Sequence, residues 1–249
     1  LLIFAFKHLH EVNVQKIKRI PIKDSIKAIK GNWPWILIVT SNLIFWIGLT
    51  IRQSTVVYYC QYYLDDKSLT ALFNGLISIG IIGTMLIPLF VRYLHKFGVM
   101  IAGFIILIIA HISIFYVGKN MNALIAIWIF SAFGHFIACS MPFAMLSDTV
   151  DFGEWKTGIR ASGFLTAIGS AFCIKAGSGI GGFIPAMVMN AFGYIPNQLQ
   201  SASSLLGIRL IFTWLPALIF ALGIIPLIFY RKYEANEATI LTDLAKKNN

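Results

Sequence analysis

The chemistry of this chain can first be argued from a lysine set in an apolar stretch. Lys175 lies fifteen residues after Arg160 and fifteen before Asn190, which on a helix is about 22 Å from either. An ammonium group at the centre of a bilayer costs about 2.5–3.5 kcal/mol, and from that depth it does not readily snorkel to water. Helical neighbours three, four and seven positions away are Ile168, Ala171, Phe172, Ser178, Gly179 and Gly182, and the small ones leave room for a cavity or a close helix. All ten carboxylates (Glu11, Asp24, Asp65, Asp66, Asp148, Asp151, Glu154, Glu234, Glu237 and Asp243) fall outside the apolar runs. Lys175 therefore either binds carbonyls of adjacent helices or answers to a substrate or an acidic group supplied elsewhere. The second reading makes Lys175 and Ser178 part of a polar translocation site.

Arg52 is the other basic residue inside an apolar run. It follows Trp35 by seventeen residues, about 26 Å of helix, and either snorkels outward or lines a cavity. Beyond it Tyr58, Tyr59, Tyr62 and Tyr63 cluster, as an interfacial belt or as rings that stack on a sugar; Arg52, Tyr58 and Tyr59 join the candidate substrate site. Asn42, Asn74, His111 and His135 are single polar residues suited to hydrogen bonds between helices, with a proton relay open for His135. Gly177, Gly179, Gly181 and Gly182 follow Lys175 within seven residues and serve either close packing or bending. Near the surface, Asp148, Asp151 and Glu154 share a helical face with Lys156 and Arg160 nearby, as loose ion pairs of under about 1 kcal/mol each or as pairs that close the cytoplasmic side. Cys60, Cys139 and Cys173 lack metal-ligand spacing and read as small apolar fillers.

The elements that carry these residues follow from composition. Of 249 residues 58% are hydrophobic and 12% charged, with a net charge of +10 and a mean hydropathy of +0.78, whereas a water-soluble domain carries about 25% charged residues. Six runs, about Trp33–Tyr63, Thr70–Val91, Val99–Val117, Ala123–Leu146, Ser162–Met189 and Ile208–Tyr230, reach the roughly 20 residues a membrane helix needs. Fifteen Lys and Arg (residues 7, 16, 18, 19, 23, 27, 30, 92, 96, 156, 160, 231, 232, 246 and 247) fall on one side of these runs. Only Lys67, Lys119 and Arg209 fall on the other. The bias predicts both ends in the cytoplasm, an even number of crossings, and a topological rather than a nucleic-acid meaning for the basic charge. Pro21–Lys30, with Ile22, Ile26 and Ile29 beside Lys23, Lys27 and Lys30, reads as an interfacial helix or a plain linker. Soluble-enzyme motifs are missing: there is no phosphate loop, His-Glu-x-x-His or Gly-x-Ser-x-Gly.

The run Ser147-Asp148-Thr149-Val150-Asp151-Phe152-Gly153-Glu154-Trp155-Lys156-Thr157-Gly158-Ile159-Arg160 resembles the loop between helices ten and eleven of the glycoside–pentoside–hexuronide:cation symporters, a family of the major facilitator superfamily that includes melibiose permease. Ala191-Phe192-Gly193-Tyr194, Gln200-Ser201 and Leu206-Gly207-Ile208-Arg209 are further matches. The resemblance implies an all-α polytopic protein, the C-terminal six-helix half of a major facilitator fold built as a 3+3 inverted repeat. Residues 1–32 would be the end of a preceding helix (Leu1–Phe6) and a basic cytoplasmic linker, 33–231 the bundle of helices seven to twelve, and 232–249 a cytoplasmic tail. It places Lys175 in the polar substrate and cation region, whose carboxylates belong to the first six helices. Some family members place an aromatic residue near Cys139 and polar groups near Ala171, which are not matched here, so the sugar contacts of any one member do not carry over.

The expectation is a secondary transporter, not an enzyme, in the cell membrane. It carries a glycoside, pentoside or hexuronide together with sodium or a proton, by alternating access. Its partners are sugar, cation, bilayer and an N-terminal six-helix half; no covalent cofactor, metal or nucleic acid is expected. A half-size homodimeric carrier or channel, a lysolipid symporter of the same fold and a non-transporting assembly subunit are the alternatives.

Overall fold

The computed structural model describes residues 21–248, and every described element is helical. The expected tail of a preceding helix at Leu1–Phe6 lies outside the described residues. The helices are α1 (Ile22–Lys27), α2 (Trp33–Tyr58), α3 (Leu69–Leu76), α4 (Ile81–Val117), α5 (Met121–Thr157), α6 (Ser162–Ala167), α7 (Cys173–Ala191), α8 (Ala202–Phe212), α9 (Trp214–Glu234) and α10 (Glu237–Asn248). Short π or 3₁₀ turns continue α2 through Tyr59–Tyr63, join α3 to α4 through Ile77–Gly80, and join α6 to α7 through Ile168–Phe172.

Among the described residues five helical stretches are long and apolar enough to cross a membrane, and one of them folds back into two membrane-length arms. Leu69–Val117 runs for 49 residues, about 74 Å if straight, more than twice a hydrocarbon core of about 30 Å. His95 breaks it, with φ 58° and ψ 172° inside α4. Gly83 before the break meets Phe133, and Gly103 after it meets Gly134 and Ala138. Two points twenty residues apart thus touch adjacent turns of α5, and the chain must double back between them. The reversal falls in the gap between the apolar runs ending at Val91 and starting at Val99. Its new helix start is capped from afar: Glu234 accepts from the backbone N–H groups of Lys96 (2.7 Å) and Phe97 (3.4 Å), satisfying donors that a helix N-terminus leaves free.

Pro216 has a similar local effect. Lacking an N–H for the Phe212 carbonyl, it coincides with a break at Thr213 (φ −114°, ψ −73°) between α8 and α9. The pair still forms one membrane-length stretch, Ala202–Glu234.

The core centres on α2. Phe45 meets Phe104 of α4 and Phe220 of α9 at 5.9 and 6.1 Å between ring centres, a spacing at which edge and tilted ring contacts stabilise. Of the single polar residues in the apolar runs, Asn42 ties helices as expected by donating to the Gly169 carbonyl inside the π turn (2.7 Å), and Ser41 adds a bond to the Gly223 carbonyl (2.8 Å). His111 instead bonds the Leu107 carbonyl of its own helix, and the Nδ1 of His135 has no partner.

The four glycines after Lys175 divide two and two. A Cβ at Gly177 would stand 2.6 Å from that of Trp46, and one at Gly181 2.6 Å from the Ile47 carbonyl oxygen; Gly179 and Gly182 face open space. Close approach of α7 to α2 through small residues four apart is the packing mode of membrane helices. Gly181→Leu is therefore expected to destabilise the protein by about 1–3 kcal/mol through overpacking. Gly179→Ala and Gly182→Ala should leave the detergent melting temperature unchanged or raised, because alanine is the better helix former.

Two regions fold further than the sequence reading foresaw. Ser147–Thr157 is not loop but the continuation of α5, which ends at Gly158 (φ 72°); nothing between Pro142 and Gly158 stops a helix, so the connection to α6 is only Gly158–Ala161. The C-terminal tail is likewise helical, with Ile240 and Leu244 buried one turn apart. At the other end, Ala28 and Ser25 are buried while Ile26 is 54% exposed.

Candidate substrate face and ion-pair clasp

Lys175 lies near the middle of the Ser162–Ala191 stretch and is exposed, on a strip with Ala171, Phe172, Gly179, Gly182 and Phe183. The opposite strip, Cys173, Gly177, Gly181, Pro185 and Met189, is buried, so one face of α7 is spent on packing and the other carries the cation. Among the described residues, no carboxylate pairs with Lys175. Ser178, one turn on, lies 3.4 Å from the Thr50 hydroxyl of α2. Lys175 thus opens beside the strip of α2 that bears Trp46, Thr50 and the exposed Gln53. The π turn Ile168–Phe172 ends three residues before the lysine; such turns recur at functional sites because they re-aim the residues that follow.

Arg52 does not snorkel; it is buried beside a small pocket that its side chain helps to line. It is 2% exposed, with its guanidinium carbon 4.5 Å from the centre of the Trp128 ring. Trp128 is itself fixed to α3 by donating to the Phe73 carbonyl at 2.6 Å. That cation–π contact supplies about 2 kcal/mol or somewhat more for a desolvated pair, against several for burying an ion. The Nε and Nη1 atoms of Arg52 have no hydrogen-bond partner.

The tyrosines build the outer end of the bundle. Tyr59 is buried and stacks on Phe212 at 4.3 Å, away from any open face. Tyr58 is half-buried against Tyr194 at 5.6 Å. Tyr62 bonds the Tyr194 hydroxyl and accepts from the Asn197 backbone, both at 3.1 Å, docking the 192–201 connection on α2. Burial, with the Tyr62 hydroxyl, pushes the Tyr194 phenol above its ordinary range. Lys175 and Ser178 therefore share a face, whereas Tyr58 and Tyr59 are not brought to it.

Helix α5 presents its acidic face to two different partners. Asp151 and Glu154 both accept from Arg160 across the Gly158 turn, and the Glu154 carboxylate holds that guanidinium above its ordinary range. Asp148 instead takes Lys96, from the His95 turn, at 2.7 Å; Lys96 also reaches Glu237 of α10 at 3.0 Å. Lys156 donates to the Gly31 carbonyl (3.2 Å) and lies 5.8 Å from the Phe152 ring. Tyr233 donates to the Asp148 carbonyl at 2.8 Å. Lys96, Glu234 and Glu237 were not among the expected gating residues. Their only sequence signal was charge at helix ends, and their pairing spans 52 to 141 residues.

An all-helical bundle of membrane-length apolar helices, holding a bare lysine on one face and ion pairs at one end, defines a multi-pass membrane protein. Residues 2–232 match the family model described as "MFS/sugar transport protein", and the chain belongs to that family, as its Ser147–Arg160 motif had implied. It is 33% identical over 249 residues to the isoprimeverose transporter of Lactiplantibacillus pentosus, covering 99% of this chain and 52% of that protein. It is 34% identical over 231 residues to a protein of Escherichia coli (strain K12) provisionally named a sulfoquinovose importer, covering 92% and 49%. A glucuronide carrier protein homolog of the same organism is 28% identical over 237 residues, covering 92% and 51%. The chain spans about half the length of the curated relatives it matches.

Proposed function

We propose that this chain is one six-helix half of a cation-coupled symporter for a glycoside, pentoside or hexuronide, working in the cell membrane by alternating access. The observation that carries the reading is Lys175: a cation in mid-helix, exposed on the unpacked side of α7, with no carboxylate partner among the described residues. A second half whose carboxylates face it would complete the site, and relatives about twice as long as this chain support that arrangement. Names such as isoprimeverose transporter and glucuronide carrier homolog support sugars over lysolipids. The Lys/Arg bias supports cytoplasmic ends.

In this reading substrate binds near mid-membrane between halves that rock around it. Lys175 and Ser178 face it, the Lys96 pair with Asp148 closes the cytoplasmic side with only a minor addition from the local pairs of Asp151 and Glu154 with Arg160, and sodium or a proton couples through carboxylates near Lys175. Coupling needs only that sugar and cation favour the same conformation, a linkage of about 1–3 kcal/mol.

Counterflow tests it. Vesicles holding the full-length gene product, preloaded with unlabelled sugar, should exchange a labelled glycoside, pentoside or hexuronide, and a sodium or proton gradient should drive accumulation. Exchange of lysolipid without any sugar exchange overturns the sugar assignment; sugar exchange indifferent to both gradients overturns the coupling.

A further inference from the structure

Arg52 is left unexplained by packing, since its buried guanidinium has two nitrogens without partners and only an aromatic face to balance its charge. Beside it is a pocket of about 30 Å³ lined by Arg52, Gln53, Val56, Asn74, Ile77 and Trp128. Every charged or amide group in that lining can donate a hydrogen bond, and no acidic side chain contributes to it. Val56, Ile77 and the Trp128 ring form apolar walls, and because the indole N–H is already spent on the Phe73 carbonyl, it is held in place. Low-dielectric walls strengthen the attraction of a fixed cation for an anion. The volume suits a single small ion or the head of a carboxylate and is far too small for a sugar ring. Gln53 and Asn74 are both exposed, so the pocket opens outward past their amides.

We propose that the pocket of Arg52, Gln53 and Asn74 is a binding site for one small monovalent anionic group, supplied either by a free halide or by the carboxylate of a bound solute. Charge-assisted contact with a guanidinium is about twice as strong as a neutral hydrogen bond, so it gives such a group firm recognition. The site goes beyond the transport reading and stands whether or not sugar is carried; only a carboxylate on the transported solute depends on that reading.

The test uses purified full-length protein in detergent at fixed sodium concentration and ionic strength, with isethionate as the bulky reference anion. Replacing isethionate by chloride or bromide is expected to raise the melting temperature saturably, by about 2 °C or more. Arg52→Gln should abolish the response, and Arg52→Lys should keep a weakened one. A halide response lost in Arg52→Gln assigns the site to free anions. An Arg52-dependent response to glucuronate but not to halide assigns it to a solute carboxylate. Equal responses of wild type and Arg52→Gln to every anion, or none in either, overturn the proposal. Should Arg52→Gln fail to fold, bromide quenching of tryptophan fluorescence decides: a saturable component that vanishes in Trp128→Phe supports the site, and purely collisional quenching unchanged by that substitution overturns it. Neutral-glycoside counterflow, run in parallel, reports on the transport reading alone.

Discussion

Lys175→Ala is expected to lower gradient-driven sugar accumulation by about a hundredfold or more while leaving the amount of folded protein in the membrane unchanged. The two halves of that expectation rest on different observations. Folding is spared because Lys175 is exposed and makes no ion pair among the described residues, while α7 is held by its other face through Gly177 and Gly181. Removing the ammonium even relieves an insertion cost of about 2.5–3.5 kcal/mol. Transport is not spared, because a cation kept at that cost must recover it from bound substrate or facing carboxylates, and the recovery is what ties the occupancy of one site to the other. A hundredfold loss corresponds to about 2.7 kcal/mol, within the range of such couplings. Binding and exchange should separate in the variant: sugar counterflow without a gradient falls less than accumulation does. Full accumulation by Lys175→Ala would remove the lysine from the site and leave the membership of the family untouched.

The sequence exposed the parts of this architecture that depend on one chain segment at a time. Apolar length marked the six membrane-length segments, and even the reversal at His95 falls within the polar gap left between two runs. Axial position was also legible: a rise of 1.5 Å per residue put Lys175 near mid-span. Rotation about the axis was not. Arg52 could be placed along α2 but not turned inward onto Trp128, because that orientation is set by α3 and α5. The glycines after Lys175 posed the same difficulty, since only the position of α2 separates the two that pack from the two that do not. Tyr59, grouped with its neighbours as a possible sugar contact, is spent on Phe212, 153 positions away in sequence. The tail carries a local signal as well: Ile240 and Leu244 are four apart, the spacing of an apolar helical stripe, and both are buried.

Breaking the pair of Lys96 and Asp148 is expected to reduce sugar uptake about tenfold, with recovery when the two charges are exchanged. The pair joins three segments that an inward opening must separate or carry together: the His95 turn, the C-terminal end of α5, and α10 through Glu237. Both side chains are partly shielded, at 28% and 14% exposure, so the interaction lies between a screened surface pair of under about 1 kcal/mol and the 3–5 kcal/mol lost when one partner of a buried pair is removed. A value near 1.4 kcal/mol shifts a two-state equilibrium tenfold. Asp148→Asn keeps the shape and removes the charge, and it should favour the inward-open state. Labelling of the half-buried Cys139 by a permeant maleimide, with Cys60, Cys173 and any cysteine elsewhere in the full-length protein replaced by serine, should accelerate in step with the loss of uptake. Lys96→Asp combined with Asp148→Lys restores the attraction and leaves the new lysine beside Glu237, so uptake should return to within about threefold of wild type. Strictly additive losses in the double variant, or unchanged Cys139 labelling in Asp148→Asn, would mean that the clasp holds that end of the bundle together without taking part in opening. The contrast with Arg160 sharpens the test: that side chain is 55% exposed and pairs with Asp151 and Glu154 of the helix immediately preceding it. Arg160→Gln breaks only a local, solvent-screened contact and should lower uptake by less than about threefold.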